Sequence, residues 1–225
     1  MNKRYFPLFL DLSDKRVLLV GAGEVGLRKA VSVLEASPER LDVVDPALQS
    51  GIPACLSHEK VICHARSFDP SDLENKTLAF AATDNREVNA QIASLCAQKG
   101  ILCNITDAPG KGDFIVPAHF MRDDICVSLC TQGQSPALAR KLRRELEAWF
   151  GNRYSPLLTF LGRLRPVLLE LGLPSAENGA LFRSLLQSPL ADYLEKHDHA
   201  AAANLLASYL PEPLHVRMGE LLHDL

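Results

Sequence analysis

The sequence has no large excess of charge of either sign, which argues against the partners that strong charge attracts. The formal net charge is −3 at pH 7, from 24 lysines and arginines against 27 aspartates and glutamates. A nucleic-acid-binding protein would carry a clear basic excess, so we expect no nucleic-acid partner. The contents of 47% hydrophobic and 23% charged residues are ordinary for a globular protein and argue against disorder.

Long apolar runs are absent as well. No run reaches the roughly 20 residues that a helix needs to cross a bilayer. The apolar segment at residues 5–12 is too short for a signal peptide and has no small-residue cleavage site. We therefore expect no membrane partner and a cytoplasmic protein. Because this segment contains a proline, it is predicted to lie as an edge segment against the first strand.

Paired cysteines are lacking too, which argues against a metal site or a disulfide framework. None of the six cysteines forms a C-x-x-C pair, and most lie in apolar runs, so we expect buried, reduced thiols. His197 and His199 have no acidic or cysteine partner at a ligand spacing, and we expect them to be exposed. The sequence therefore predicts no metal site. The cysteines are Cys55, Cys63, Cys96, Cys103, Cys126 and Cys130.

The strongest motif that is present is a glycine-rich turn between a strand and a helix. An apolar run at residues 17–20 leads into Gly21, Gly23 and Gly26, spaced as G-x-G-x-x-G, and a helical pattern follows over residues 25–34. The glycines permit the tight turn, the approach of a pyrophosphate and the packing of helix on strand, and the amides of the first helical turn, including those of Glu24 and Val25, bind the anion.

An acidic residue stands where the second strand of such a unit ends. A second apolar run, residues 41–44, is followed by Asp45, 19 residues past Gly26, and by Pro46. A carboxylate there hydrogen-bonds the ribose hydroxyls of an adenosine and repels a 2′-phosphate. The motif therefore predicts that the site binds NAD rather than NADP. Pro46 is a further cofactor-binding candidate in the same site. A glycine turn without any nucleotide is the alternative.

Further strands are predicted at residues 61–65, 77–82 and 101–105, and they alternate with helices. This order indicates a Rossmann-type parallel sheet whose ligands bind at the carboxyl ends of the strands. Asp84 and Glu87 resemble a capping box at the start of one helix. We assign residues 1–112 to an NAD-binding domain. Its further cofactor candidates, at or near strand ends, are Thr83, Asp84 and Asn104.

The pattern changes in residues 113–150. Two strand-like runs are separated by residues 122–124, which predicts an antiparallel hairpin, and Ser135 with Pro136 predicts the start of a helix. An apolar stripe on that helix opposes a basic one, which is either a solvated face or a surface that meets an acidic ligand. The apolar stripe is Leu138, Leu142, Leu146 and Trp149, and the basic one is Arg140, Arg143 and Arg144.

Residues 151–225 show only helical patterns. Helices are predicted at residues 156–171, 180–186, 190–210 and 213–222, separated by Pro and Gly. A region of about 70 residues buries little apolar surface by itself. We therefore expect a C-terminal helical domain that acts as a cover more than as an independent core.

Five segments, in order, resemble one family. They are LFLDLSDKRVLLVGAGEVGLRKA, AATDNREVN, CNITDAP, FIVPA and TQGQSPALARKLR. They are similar to the precorrin-2 dehydrogenase family, which comprises the N-terminal part of siroheme synthase and its free-standing relatives, and the resemblance covers residue 5 to about residue 150. Since the sequence stops at residue 225, we expect a form without the methyltransferase domain of the fused enzyme.

The resemblance implies an NAD-dependent oxidation of precorrin-2 to sirohydrochlorin in siroheme, and more broadly tetrapyrrole, biosynthesis, by a homodimer that pairs through residues 113–150. It places Asp107 where the family has its catalytic aspartate. A carboxylate suits the loss of a proton that accompanies hydride transfer, so we assign Asp107 as general base, with Asn104 and Thr106 positioning the cofactor or the base. An Asx-turn before Pro109 is the alternative for Asp107.

The tetrapyrrole substrate carries eight carboxylates, so basic side chains must lie near it. Thr131 matches a hydroxyl position that lines the family's substrate pocket, although plain turn chemistry explains it equally well. The substrate-binding candidates are Thr131, Ser135, Arg122, Arg140 and Arg144.

Three other functions stay open at this point. Some relatives also insert ferrous iron into sirohydrochlorin, and His119 is a candidate proton acceptor or metal-facing group for that step, or a structural histidine. A regulatory module that senses NAD without turnover has no use for Asp107. A dehydrogenase for a smaller substrate is the third.

Overall fold

The computed structural model describes residues 4–225 and divides the chain into two units, one that ends at Val116 and one that comprises Pro117–Leu225. The first unit contains the glycine turn and the predicted strands around it. The second contains the hairpin and all later helices. The division into residues 1–112, 113–150 and 151–225 stays a prediction.

A five-stranded parallel sheet forms the centre of the first unit, and this confirms the predicted Rossmann-type α/β class. Its spatial order is β3-β2-β1-β4-β5, and every neighbouring pair is parallel. Strands β1 and β4 are buried on both faces, as their unbroken apolar runs predict. The strands are β1 (Arg16–Val20), β2 (Arg40–Val44), β3 (Val61–His64), β4 (Leu78–Ala81) and β5 (Leu102–Ile105).

Two long helices cover this sheet. Helix α1 (Glu24–Glu35) follows the glycine turn, and helix α2 (Arg86–Lys99) ends at Gly100, whose φ of 69° is the left-handed conformation that glycine favours. The connections on either side of β3 contain only short 3₁₀ helices.

The start of α2 corrects one prediction. The expected capping box of Asp84 and Glu87 is wrong, because Asn85 is the N-cap. Its side-chain oxygen accepts hydrogen bonds from the amides of Glu87 and Val88 at 2.9 and 3.3 Å. Both Asp and Asn are favoured at this position, so the residue types alone did not distinguish them.

The N-terminal segment also differs from its prediction. Residues 4–12 form no strand, and Phe6 and Phe9 are 85% and 71% exposed. Strand β1 has β2 on one side and β4 on the other, so it has no edge against which a segment can pair. Only Leu12 of this stretch enters the core.

The second unit begins with the predicted hairpin. Strands β6 (Ala118–Arg122) and β7 (Ile125–Leu129) pair antiparallel, and helix α3 (Pro136–Phe150) follows. Ser135 caps α3 as expected, since its hydroxyl accepts the amide of Leu138 at 3.2 Å. The apolar stripe of α3 is largely exposed in this single chain, with Leu138 at 47% and Trp149 at 69%.

The C-terminal helices form a core of their own, so the prediction that they lack one is wrong. Fifteen buried residues, among them Phe160, Leu164 and Leu206, pack into one cluster. The single helix predicted over residues 190–210 is two helices, because His197 takes a φ of 54° between them. The helices are α4 (Tyr154–Glu170), α5 (Ser175–Gln187), α6 (Leu190–Glu195), α7 (His199–Tyr209) and α8 (Met218–Leu221).

The cysteines are free throughout residues 4–225. Cys96 and Cys103 are buried as expected, whereas Cys55 and Cys130 are exposed, so the expectation of burial is wrong for those two. In the same described stretch, no helix is both long and apolar enough to cross a membrane.

One charged side chain lies inside the sheet. Asp42, in the middle of β2, is 2% exposed, and it accepts hydrogen bonds from Arg40 at 2.5 and 2.9 Å, from Lys76 at 2.7 Å and from His64 at 3.0 Å. Burial alone would raise the pKa of this carboxyl, but the bonds from Arg40, Lys76 and His64 outweigh it and lower the pKa to about 2. Asp42 is therefore ionised in the folded protein at any ordinary pH.

We expect Asp42→Asn to lower the free energy of unfolding at neutral pH by about 3 kcal/mol, because it leaves the largely buried Lys76 ammonium without its anion. A lowered folded-state pKa stabilises the protein above the unfolded value near 3.8 and loses that contribution as the pH falls toward 2. Urea unfolding between pH 7 and 2 measures this. Asp14→Asn, which removes an exposed carboxylate beside Lys15, is the matched control. Identical pH dependence in the two variants would contradict the role of Asp42.

Candidate active site

The glycine turn has the geometry that close approach of a ligand requires. Gly21 has a φ of 101°, and a Cβ there would overlap the carbonyl of Ala82, while a Cβ at Gly26 would overlap the carbonyl of Gly21. A Cβ at Gly23 would meet nothing within 4 Å. Two of the glycines are therefore needed for the fold itself, and the middle one faces open space.

Helix α1 begins at this open space. Its N-cap is Gly23, and among the described residues no side chain caps it. The first-turn amides, at Glu24, Val25 and Gly26, have no carbonyl one turn earlier within the helix. Uncapped amides and the positive end of the helix dipole together favour an anion.

Asp45 lies directly beside the glycine turn. Its carboxylate accepts the amide of Ala22 at 2.6 Å and the amide of Ala47 at 2.7 Å. Pro46 begins a short 3₁₀ helix and has no amide to compete for that carboxylate. The structure thus brings the predicted ribose-binding carboxylate to the turn, at the carboxyl end of the neighbouring strand.

Asp107 is connected to the end of β4 through an amide that the motifs did not single out. Asn89, on α2, donates to Asp107 Oδ1 at 2.9 Å and to the carbonyl of Thr83 at 2.9 Å. Asp107 Oδ2 lies 3.8 Å from Nε of Arg86, an exposed side chain. Asp84, in the loop between Thr83 and helix α2, is exposed.

The Asx-turn interpretation of Asp107 is wrong. Such a turn needs the amide of the second residue along the chain, and that residue is Pro109, which has none. The carboxylate bonds to Asn89 instead, with its side chain 28% exposed.

Two buried polar atoms lie without a partner near the end of β5. Asn104 donates its amide to the carbonyl of Phe114 at 2.8 Å, which leaves Asn104 Oδ1 unpaired. Thr106 Oγ1, two residues later, is also buried and unpaired among the described residues. A buried polar atom without a hydrogen bond costs about 1–3 kcal/mol. An acceptor and a hydroxyl at this position fit a ligand that carries a carboxamide, as a nicotinamide does.

The substrate candidates lie in the second unit, at three places. The Thr131 hydroxyl donates to the carbonyl of Ser135 at 3.1 Å and accepts its amide at 3.3 Å. Arg122 lies 3.9 Å from Glu147, which Arg143 also contacts at 2.6 Å, and Arg122 Nε is buried and unpaired in the described chain. The remaining two, Arg140 and Arg144, are exposed on α3.

The histidines do not assemble into a metal centre. His119 Nδ1 lies 3.1 Å from the carbonyl of Pro117, which fits a structural role on β6. His197 and His199 lie close to one another with ring centres 6.2 Å apart. Within residues 4–225, no three side chains of metal-binding type come together.

Asn89 is the site residue that sequence reasoning missed. It lies on the buried face of α2 with Ile92 and Cys96, at spacings of three and seven residues. An amide is costly on such a face unless it is hydrogen-bonded. An asparagine on an otherwise apolar helical stripe was therefore a usable signal.

This chain is similar to known proteins over most of its length. A family model described as "Putative NAD(P)-binding" matches residues 8–118. Siroheme synthase 1 of Aeromonas salmonicida is 36% identical over 92% of this chain and 44% of its own length. Siroheme synthase of Nitrosomonas europaea is 33% identical over 92% of this chain and 43% of its own length. The chain thus spans less than half the length of these relatives.

A solved structure titled "SirC, precorrin-2 dehydrogenase" superposes with a TM-score of 0.73. The match covers 91% of this chain and 100% of that one, at 20% sequence identity. This likeness shows a shared fold.

We expect Gly23→Ala to leave the melting temperature nearly unchanged and to weaken binding of a nicotinamide dinucleotide by about tenfold or more, because the methyl group fills only the space for the ligand. Gly26→Ala is the matched control, since its methyl group overlaps backbone and must lower the melting temperature. Thermal denaturation and NADH fluorescence titration measure the two effects. Unchanged NADH affinity in Gly23→Ala would mean that no pyrophosphate lies at this turn.

Proposed function

We propose that this chain belongs to the precorrin-2 dehydrogenase family and oxidises precorrin-2 to sirohydrochlorin with NAD as hydride acceptor. Its similarity to siroheme synthases over 92% of its length supports the family. The observation that carries the proposal is the placement of Asp107. Asn89 hydrogen-bonds both to this partly exposed carboxylate and to the carbonyl of Thr83, just after the end of β4. Strand β4 lies beside β1, which leads into the glycine turn.

The cofactor, when bound, supplies a ring that accepts a hydride. The chain's own groups would hold and orient it: the first-turn amides of α1 would bind its pyrophosphate, Asp45 would bind the adenosine ribose, and Asn104 with Thr106 would bind the carboxamide. Oxidation also releases a proton from substrate carbon or pyrrole nitrogen, and Asp107 Oδ2 accepts it. A carboxylate in that role contributes about 10²–10⁴-fold to the rate.

The preference for NAD follows from Asp45. Its charge lies at the glycine turn, 2.6 Å from the amide of Ala22, and repels the 2′-phosphate that distinguishes NADP. The nicotinamide cofactor itself is supported by the family model, and the choice of NAD rests on this carboxylate alone.

We further propose a homodimer. The exposed apolar surface of the second unit includes Leu138 and Trp149 of α3 and Met121 of β6, at 47%, 69% and 46%. Exposed apolar patches of this kind mark interaction sites, and the bare hairpin edge also favours pairing with a second copy. The acidic substrate would then find basic residues of the same unit, Arg140 and Arg144, with Thr131 and Ser135 at the start of the helix.

We expect Asp45→Asn to reduce the ratio of NADH affinity to NADPH affinity by about tenfold, equivalent to about 1.4 kcal/mol, because the charge repulsion disappears while a side-chain acceptor remains. Fluorescence titration with both cofactors measures the ratio. The matched control is Asp14→Asn, which removes an exposed carboxylate beside Lys15, outside the proposed cofactor site. An equal change of the ratio in both variants would argue against a specific role of Asp45.

We expect Asp107→Asn to bind NADH with wild-type affinity and to lower kcat for NADH formation about 10²–10⁴-fold, because the proton acceptor is gone. The assay is anaerobic, with precorrin-2 and NAD, and follows NADH. Turnover near the wild-type rate would remove Asp107 from the mechanism. NADH binding by the wild-type protein without any turnover would instead favour a regulatory module.

A further inference from the structure

Asn89 is a buried amide on α2 that lies between the ends of β4 and β5. It is 1% exposed, and within residues 4–225 its side chain hydrogen-bonds to two residues, Thr83 and Asp107. Neither is its neighbour in sequence, since they lie 6 and 18 residues away. A buried amide with long-range partners at a candidate active site calls for a specific role.

The orientation of this amide is determined by Thr83. The backbone amide of Thr83 can only donate, and it lies 3.2 Å from Asn89 Oδ1, with the Thr83 hydroxyl at 2.7 Å from the same oxygen. The other end, Nδ2, therefore points to the carbonyl of Thr83 and to Asp107 Oδ1, at 2.9 Å each. Both hydrogens of Nδ2 are used, so the amide cannot turn over without losing bonds on both sides.

The consequence for Asp107 is that its two oxygens differ. Oδ1 is held by a buried donor. Oδ2 lies 3.8 Å from Nε of Arg86, on a side chain that is 88% exposed. The carboxylate is thus presented with one oxygen anchored and the other available.

We propose that Asn89 is a positioning residue that anchors Oδ1 of Asp107 and thereby presents Oδ2 to the substrate proton. The proposal rests on the proposed function, because it deepens the role given to Asp107. Asn89 does not touch the substrate itself. It connects the carboxylate to the end of β4, which lies beside β1, the strand that leads into the glycine turn. In this way the distance between the cofactor and the proton acceptor is kept constant.

A purely structural role, in which Asn89 only ties α2 to β4 through Thr83, makes different predictions. Such a role would lower stability and would reduce the activity of any variant, whether or not Asp107 carries a carboxylate. A positioning role acts only through Asp107, and its effect on turnover must vanish once that carboxylate is absent.

The first experiment is a double-variant cycle in the full chain, with precorrin-2 and NAD under anaerobic conditions. We expect Asn89→Ser to lower kcat about 10- to 100-fold, as a misplaced catalytic group does, with KM for both substrates within about twofold. Adding Asn89→Ser to Asp107→Asn should lower the residual single-turnover rate no further. Asn85→Ala is the matched control, since it removes the cap of the same helix without touching Asp107, and it should lower the melting temperature while kcat stays within about twofold.

A second measurement does not depend on activity. Asn89→Asp places a carboxylate against Asp107 Oδ1, so we expect a lower melting temperature. Combining it with Asp107→Asn restores a donor and an acceptor across the same contact, and we expect about half or more of that loss to be recovered. This pair also decides the proposal if Asn89→Ser does not fold.

The outcomes separate the two proposals. If Asp107→Asn turns over at the wild-type rate, the proposed role of Asp107 as general base is wrong. If Asp107→Asn is inactive but Asn89→Ser keeps its kcat, the positioning role is wrong and the proposed function stands. A further loss of rate in the double variant, or no recovery of the melting temperature in the Asn89→Asp and Asp107→Asn pair, would also overturn the positioning role.

Discussion

The parallel pairing of β1 with β2 and β4 is the constraint on which the candidate site depends. Val20 pairs with Val44 on one side and with Ala81 on the other, and Ala81 pairs with Ile105. These are the last residues of their strands, so the segments that follow all leave the sheet at one edge. The glycine turn, Asp45, Thr83 and Asp107 come together for this reason, although they lie far apart in the chain.

Two buried polar groups in the first unit have different consequences. Asp42 lies within the sheet and is neutralised by cations, so it contributes to stability and its linkage to pH. Asn89 is uncharged, lies at the strand ends and has all its hydrogen bonds satisfied, so it orders the site without the cost of burying a charge. Asn104 and Thr106 are the contrast, because Asn104 Oδ1 and Thr106 Oγ1 are buried with no hydrogen-bond partner among the described residues.

The second unit has a core of its own, yet it exposes apolar side chains on α3 and the hairpin. Such exposure is unusual for residues at helical spacing, which normally face a core. The proposed second copy of the chain would cover these side chains. The basic residues of α3 lie on the same element, so the proposed dimer and the proposed substrate surface depend on one helix.

The amino-acid sequence by itself determined the features that depend on local chemistry. The run of residues 17–20, the spacing of Gly21, Gly23 and Gly26, the cap at Ser135 and the glycine that ends α2 each follow from the preferences of a few neighbouring residues. The alternation of strands and helices predicted that the site lies at the carboxyl ends of a parallel sheet, because parallel strands with right-handed crossovers leave little choice of topology.

Only the tertiary structure decided the contacts between distant residues. Residues 5–12 could not be placed from their apolar character, since β1 turned out to be paired on both sides. Asn85 rather than Asp84 caps α2, because the backbone enters the helix one residue later. Asn89 was missed because its role depends on hydrogen bonds to Thr83 and Asp107. The bond to Asp107 spans 18 residues and forms only when the helix packs on the sheet, so no local preference predicts it.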